Sequence, residues 1–415
     1  MTASEIRALF AVASRPEVVS LAGGSPYTAA LPLDAVGEML RHLVLDRGAV
    51  ALNYSSGQGD PKLREQICEV MRLVGINATA DDVVVTVGSQ QALDLVSRVL
   101  LDPGDVVLAE SPSYVGALGS FTSAEANIRH VAMDENGLIP AALREEIVAC
   151  QAAGLRIKFL YTIPNYQNPA GVSLSEERRV ELLEIAEEYD LLIVEDDPYA
   201  LLGFESEPAT ALRARDAQRV IYLGSFSKTF APGMRVGWAV APHGVREKLV
   251  LASEAQILCP PTFNQMAVST YLSTQPWQEQ IKVFRELYRE RRDAMIAALT
   301  AQMPAGCSWT YPHGGFFVWV QLPDGIDAKA MQARAVSARV AYVPGIAFYA
   351  NGSGGSHMRL SFCFPPPERI AEGVRRLAAV LEDEMDLRET FGKTYSEGPH
   401  PSDGSRSYAP APDMT

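Results

Sequence analysis

Val220-Ile221-Tyr222-Leu223-Gly224-Ser225-Phe226-Ser227-Lys228-Thr229-Phe230-Ala231-Pro232-Gly233-Met234-Arg235-Val236-Gly237-Trp238 places one lysine just beyond an apolar strand, among small hydroxyl residues, with an arginine seven residues later. An amine held at a strand end, close to a fixed cation and shielded from water, has its pKa lowered and can bond an aldehyde. Ser225, Ser227 and Arg235 then stand as donors for a dianionic phosphate, arginine supplying the planar fork that lysine lacks. Together they suggest pyridoxal 5′-phosphate (PLP). The competing reading is a polar turn after a strand, with a surface arginine. The rest of the chain decides between the two.

Working outward, short β-branched runs alternate with longer helical patterns: Val83 to Val87, Val106 to Ala109, Lys158 to Ile163, Leu191 to Val194, Val220 to Leu223 and Val236 to Ala241. This alternation predicts an α/β fold with a mostly parallel central sheet flanked by helices. In such sheets ligands bind beyond the carboxyl ends of the strands. Gln275 to Ala301 reads as a long helix leading out of the central domain. Strand-like Gly315 to Leu322, Arg339 to Val343 and Met358 to Phe364, followed by a helix over Pro367 to Met385, predict a smaller α+β domain. The expected division is an N-terminal arm with part of the small domain over 1–45, a large cofactor-binding domain over 46–290, a C-terminal small domain over 291–393, and a tail over 394–415. That tail is rich in Pro, Ser and Gly, cannot offset the entropy of ordering, and is expected to be disordered.

The residues after the other strands extend the pattern. Gly88-Ser89-Gln90-Gln91 opens a helix whose free amides suit an anion, although Ser89 is also an ordinary helix cap. Asn168, in Pro164-Asn165-Tyr166-Gln167-Asn168-Pro169-Ala170-Gly171, can donate to a ring oxygen or belong to a plain loop. Glu195-Asp196-Asp197-Pro198-Tyr199 offers a carboxylate for a protonated pyridine nitrogen, which would keep the ring an electron sink; otherwise it is a solvated acidic turn. Arg359, in His357-Met358-Arg359-Leu360-Ser361-Phe362, lies in a mostly apolar strand and needs a partner, either a substrate carboxylate or a structural acid. Tyr114 stacks on a cofactor ring or fills core, and Tyr54 reaches a phosphate or sits in a simple turn.

Composition narrows the classes. The chain has 415 residues, 47% of them apolar, and a formal charge of −14, which disfavours nucleic acid and anionic membranes as partners. Five scattered cysteines without a Cys-x-x-Cys pair fit a reducing compartment, and neither they nor the six histidines show metal-ligand spacing. No metal, no membrane span and a cytoplasmic location are the expectations.

In this order, the motifs resemble the fold type I PLP-dependent enzymes of the class I/II aminotransferase family, from about Val19 to about Glu382. Ser20-Leu21-Ala22-Gly23-Gly24, Asn168-Pro169-Ala170-Gly171, Glu195-Asp196-Asp197-Pro198-Tyr199 and Ser225-Phe226-Ser227-Lys228 are most similar to the α-aminoadipate and kynurenine aminotransferase subgroup. The resemblance implies Lys228 as the Schiff-base lysine and proton shuttle. It implies Asp196 at the pyridine nitrogen and Asn168 and Tyr199 at the ring oxygen. Ser89, Gln90, Ser225, Ser227 and Arg235 would hold the phosphate, joined by Tyr54 from the other subunit of a homodimer. Tyr114 would cover the ring, Arg359 would clamp the substrate carboxylate, and the Gly24 backbone would line the substrate site. Residues 25–32, Ser-Pro-Tyr-Thr-Ala-Ala-Leu-Pro, depart from the subgroup's commoner Leu-Pro-rich form, which detaches aminoadipate as the expected substrate.

The resulting expectation is transfer of an amino group from an L-amino acid to a 2-oxo acid, 2-oxoglutarate being the expected acceptor. A PLP-dependent lyase or synthase would use the same residues. A ligand-sensing regulator would need a DNA-binding domain ahead of Leu21, where only twenty residues stand.

Overall fold

A computed structural model of the chain describes residues 15–395. After the short β1 (Val19–Ser20), eight strands build the central sheet: β2 (Val83–Thr86), β3 (Val106–Ser111), β4 (Asn127–Asp134), β5 (Gly137–Leu138), β6 (Ile157–Thr162), β7 (Leu192–Asp196), β8 (Val220–Ser225) and β9 (Gly237–Val240). Their spatial order is β2-β9-β8-β7-β6-β3-β4-β5. The run from β8 through β7, β6 and β3 to β4 is parallel, whereas β9 lies antiparallel between β2 and β8 and β5 turns back on β4.

The central strands are apolar because both faces are covered. Val83, Val84, Val85, Val106, Val107, Phe159, Leu160, Ile193, Val194, Val220 and Ile221 are all fully buried. Helix Ser89–Leu100 packs Ala92, Leu93, Leu95 and Val96 inward at helical spacing, and helix Glu176–Glu188 does so with Leu182, Ile185 and Ala186. Each such leucine or valine contributes about 1.5–3 kcal/mol relative to an exposed one.

Six strands lie where the β-branched runs predict, with ends displaced by one or two residues. β7 and β8 continue to Asp196 and Ser225, because polar side chains at a strand's carboxyl end keep its ladder bonds. β4 is a strand that the runs do not predict; only Val131 of its eight residues is buried, so the apolar signature is absent.

A second, antiparallel sheet has the order β10 (Ser308–Trp309), β11 (Phe317–Gln321), β14 (His357–Ser361), β13 (Val343–Pro344). Helices Ala328–Ser337 and Pro367–Tyr395 pack on this side, the latter against the long helix Trp277–Gln302. β1 pairs in parallel with β12 (Val340–Ala341), which ties the N-terminal segment to the small sheet. The expected divisions at 45/46, 290/291 and 393/394 fall inside helices Leu33–Ala51, Trp277–Gln302 and Pro367–Tyr395. The last of these helices runs ten residues beyond the expected Met385; residues 396–415, most of the expected tail, lie outside the described residues. Among the described residues no helix is long and apolar enough to cross a membrane, and no group of His, Cys, Asp and Glu could hold a metal ion.

Candidate active site

The carboxyl ends of β3, β6, β7 and β8 converge on a cavity of about 240 Å³. Its walls include Gly24, Ser89, Gln90, Tyr114, Asn168, Asp196, Tyr199, Ser225, Ser227, Lys228, Arg235 and Arg359. Every candidate named from the sequence except Tyr54 therefore meets in one place. Ile163, Pro198, Pro232 and Phe317 complete the lining and carry no chemical motif that would have singled them out. A larger groove of about 910 Å³ runs beside β4, β10 and β11, but contains neither Lys228 nor Arg359.

One end of the cavity is built for an anion. Gly88, at φ 74°, leads into helix Ser89–Leu100, and a Cβ there would lie 2.4 Å from Arg235 Nη2. Only glycine permits both that backbone and that approach. Arg235 Nη2 donates to the Val87 carbonyl at 3.1 Å and Nη1 to Ser227 Oγ at 3.3 Å. Ser225 Oγ lies 2.9 Å from Ser227 Oγ and accepts from the Ser227 amide at 3.0 Å. With the first amides of the helix, these donors surround a space suited to a phosphate. The Gln90 side chain is otherwise engaged: its amide donates to the Gly116 carbonyl and to Ser120 Oγ, both at 3.0 Å. A phosphate contact from Gln90 is thus left to its backbone.

At the centre, Lys228 Nζ donates to the Gly24 carbonyl at 3.0 Å and lies 5.8 Å from the centre of the Phe316 ring. Burial lowers its pKa to about 8, with Arg359 and Arg235 pushing the same way and Asp196 opposing. Asp196 is buried; Oδ2 accepts from Tyr161 Oη at 2.8 Å while Oδ1 has no hydrogen-bond partner. Burial pushes its carboxyl up to about 7. Asp197 instead accepts from Asn165 Nδ2 at 2.9 Å and Tyr222 Oη at 3.4 Å and does not line the cavity. The unpartnered buried oxygen of the two aspartates therefore belongs to Asp196.

Arg359 enters from β14. Nη1 donates to Asn168 Oδ1 at 2.8 Å, Nη2 to the Ala22 carbonyl at 2.7 Å, and Nε has no partner. Its guanidinium carbon lies 4.1 Å from the centre of the Phe317 ring. No carboxylate pairs with it among the described residues, so the structural ion pair that the sequence left open is not what β14 holds. Burial, the leading cause, lowers its pKa to about 10. A buried cation without a counter-ion is costly, and an incoming carboxylate relieves that cost.

Glu110, next to last in β3, carries no motif, yet it organises the loop that bears Asn168. It accepts from Thr162 Oγ1 at 2.5 Å, from the Ile163 amide at 3.1 Å and from Gln167 Nε2 at 3.1 Å. A lone acid near the carboxyl end of an apolar strand is the available signal. Tyr54, 78% exposed, stands outside the cavity of its own chain.

Comparison with known proteins shows the family. The family described as aminotransferase class I and II matches residues 16–377. Aromatic-amino-acid aminotransferase 1 of Thermococcus litoralis is 43% identical over 93% of this chain and 93% of its own. The 2-aminoadipate transaminase of Thermus thermophilus is 40% identical over 93% of this chain and 95% of its own. A kynurenine aminotransferase of Pyrococcus horikoshii, crystallised in complex with PMP, KYN and KYA, superposes with a TM-score of 0.88 at 40% identity, covering 93% of this chain and 96% of that one.

Proposed function

The chain belongs to the class I and II aminotransferase family and has the fold type I architecture of its PLP-dependent members, and we propose that its amino-group transfer takes place in the cavity around Lys228. Its activity is PLP-dependent transamination between an L-amino acid and a 2-oxo acid. The observation that carries the site assignment is the meeting, in one cavity, of a lysine with a lowered pKa, a buried carboxylate oxygen without a partner and a buried arginine without a counter-ion.

These residues fit the cofactor. Ser225, Ser227, Arg235, Ser89 and the backbone of Gln90 would hold its phosphate, Asp196 Oδ1 would take the ring nitrogen, Asn168 and Tyr199 would take the ring oxygen, and Tyr114 would cover the ring. Bound PLP supplies an electron sink for the charge released when a bond to the amino acid's α-carbon breaks. Lys228 Nζ is the group that would hold the cofactor's aldehyde end and carry the proton from the substrate's α-carbon. Arg359 binds the α-carboxylate through its guanidinium, and Asn168, already bonded to that group, couples the substrate clamp to the ring. The Gly24 carbonyl holds the amine in place.

The donor proposed is an aromatic L-amino acid, on the strength of the Thermococcus litoralis relative and the Tyr114 and Phe317 walls; the acceptor proposed is 2-oxoglutarate. Purified protein with PLP and 2-oxoglutarate, offered tyrosine, phenylalanine, kynurenine or 2-aminoadipate singly, is expected to make glutamate fastest with an aromatic donor. Glutamate from 2-aminoadipate alone would transfer the specificity to the acidic donor.

A homodimer is proposed on a surface that a lone chain leaves bare. Leu45, Val50, Leu52 and Tyr54 are 55–78% exposed, and so are Leu251 and Leu258. Gly57 comes so near Glu254 that a Cβ would lie 2.3 Å from its Cγ, which joins the two groups. An apolar patch of this kind marks an interface, and Tyr54 of the partner subunit would then reach the phosphate. Leu52→Asp is expected to sediment as a monomer and to retain at least about tenfold less PLP, the scale of a lost phosphate contact. A monomeric variant with PLP affinity unchanged would remove Tyr54 from the site. The five cysteines, none in a disulfide, support a cytoplasmic enzyme.

A further inference from the structure

The orientation of Asp196 has a cause on the neighbouring strand. In the parallel pairing of β6 and β7, Tyr161 stands opposite Val194, so Asp196, two residues on, projects from the same face. The Tyr161 hydroxyl reaches Asp196 Oδ2 at 2.8 Å. Tyr161 is fully buried, its ring edge-on to Phe121 with centroids 5.4 Å apart, and that packing leaves it little rotamer freedom. Burial, with the charge of Asp196 adding to it, holds the phenol well above its ordinary pKa, so it acts as a donor throughout the working range.

We propose that Tyr161 is the positioning residue for the ring nitrogen of the cofactor: its hydroxyl fixes the rotamer of Asp196 and stabilises its anion, so that Oδ1 alone is presented to the cavity. The proposal rests on the assignment of Asp196 to that nitrogen. Asp196 lies where its ionised form is least favoured, in a buried site next to the charge of Asp197. The bond from Tyr161 and the charge of Lys228 are what oppose this. Loss of the hydroxyl both frees the side chain to turn and raises the carboxyl's own proton affinity, so that the shared proton leaves the ring nitrogen for Asp196.

A matched control lies on the next strand. Tyr222, on β8, is likewise buried and donates to a carboxylate, Asp197 Oδ2, at 3.4 Å, but that carboxylate is outside the cavity. Tyr161→Phe, Tyr222→Phe and Asp196→Asn are compared as holoenzymes loaded with PLP labelled with ¹⁵N in the ring. Three quantities are read: the ring-nitrogen chemical shift, PLP affinity from titration of the cofactor-free protein, and kcat and KM for the amino donor. Tyr161→Phe is expected to move the nitrogen signal part of the way towards that of Asp196→Asn. It should weaken PLP binding about tenfold and lower kcat about tenfold, the scale of one hydrogen bond to a charged group, with KM within about twofold. Tyr222→Phe should match the wild type in all three. Should Tyr161→Phe fold poorly, 3-fluorotyrosine at position 161 keeps the shape and strengthens the donor, and moves the signal the opposite way. A nitrogen signal displaced by Asp196→Asn but by neither change at 161 overturns the proposal and leaves the Asp196 assignment standing. A signal that Asp196→Asn leaves in place overturns both.

Discussion

Lys228→Ala is expected to lower turnover by at least about 10⁴-fold while leaving a folded protein, because it removes the bond to the aldehyde and the proton carrier in one change. The fold should survive: Lys228 is half-buried, and its amine makes one hydrogen bond, to the Gly24 carbonyl. PLP should still bind the variant through the phosphate donors but wash out on dialysis, and mass spectrometry after reduction should find no cofactor attached to the protein. In the wild type, capture of PLP by the cofactor-free protein needs the neutral amine. Burial brings the Lys228 pKa down to about 8, so the capture rate should rise with pH up to about 8 and level off above it, well below the plateau of an ordinary lysine. A plateau that comes only above pH 10 would mean that Lys228 is solvated. Turnover retained by Lys228→Ala with any donor would remove the lysine from the reaction.

The second large effect is expected at Arg359. Arg359→Leu removes the cavity's clamp for the α-carboxylate and strands Asn168 Oδ1 and the Ala22 carbonyl, both of which it now satisfies. Breaking a buried charged contact of this kind costs about 3–5 kcal/mol, so kcat/KM for every amino donor should fall by between about 10²-fold and several thousandfold, chiefly through KM. PLP stays bound, since Arg235 and not Arg359 serves the phosphate. Arg359→Lys keeps the charge and loses the fork, and should recover only part of the loss. Equal loss of PLP and of donor affinity would show that Arg359 supports the whole cavity; a donor KM unchanged in both variants would place the carboxylate elsewhere.

Much of this was legible in the chain because the chemistry sits at strand ends. Apolar β-branched runs announce buried parallel strands, and whatever polar residue follows each run must face the common edge of the sheet. That rule put Lys228 after β8, Asn168 after β6 and Ser89 after β2 at the common edge; at the end of β7 it offered only a carboxylate among Glu195, Asp196 and Asp197, and the choice of Asp196 came from the family resemblance. What remained hidden depends on contacts between distant residues. Tyr161 reads as one more aromatic in an apolar strand; only the register of β6 against β7 brings its hydroxyl to Asp196. The pairing of β1 with β12 joins Val19 to Val340, and two residues on each side leave no periodicity to detect. β4 escaped because its side chains are mostly half-exposed, so the alternation that marks a strand is diluted by Arg129 and His130. The engagement of the Gln90 side chain with Gly116 and Ser120 likewise depends on how helix Val115–Ser123 docks, which local sequence does not encode.

The most direct test of the account is the half-reaction run without an acceptor. PLP-loaded protein is mixed with an excess of one reactive amino acid, with 2-oxo acid and cofactor form both quantified per Lys228 site. The account predicts one 2-oxo acid released per site, conversion of the cofactor to its amine form, and then a halt until 2-oxoglutarate is added. Continued product formation with no acceptor present, or product formed while the cofactor keeps its aldehyde, would contradict it and identify the cavity as that of a lyase.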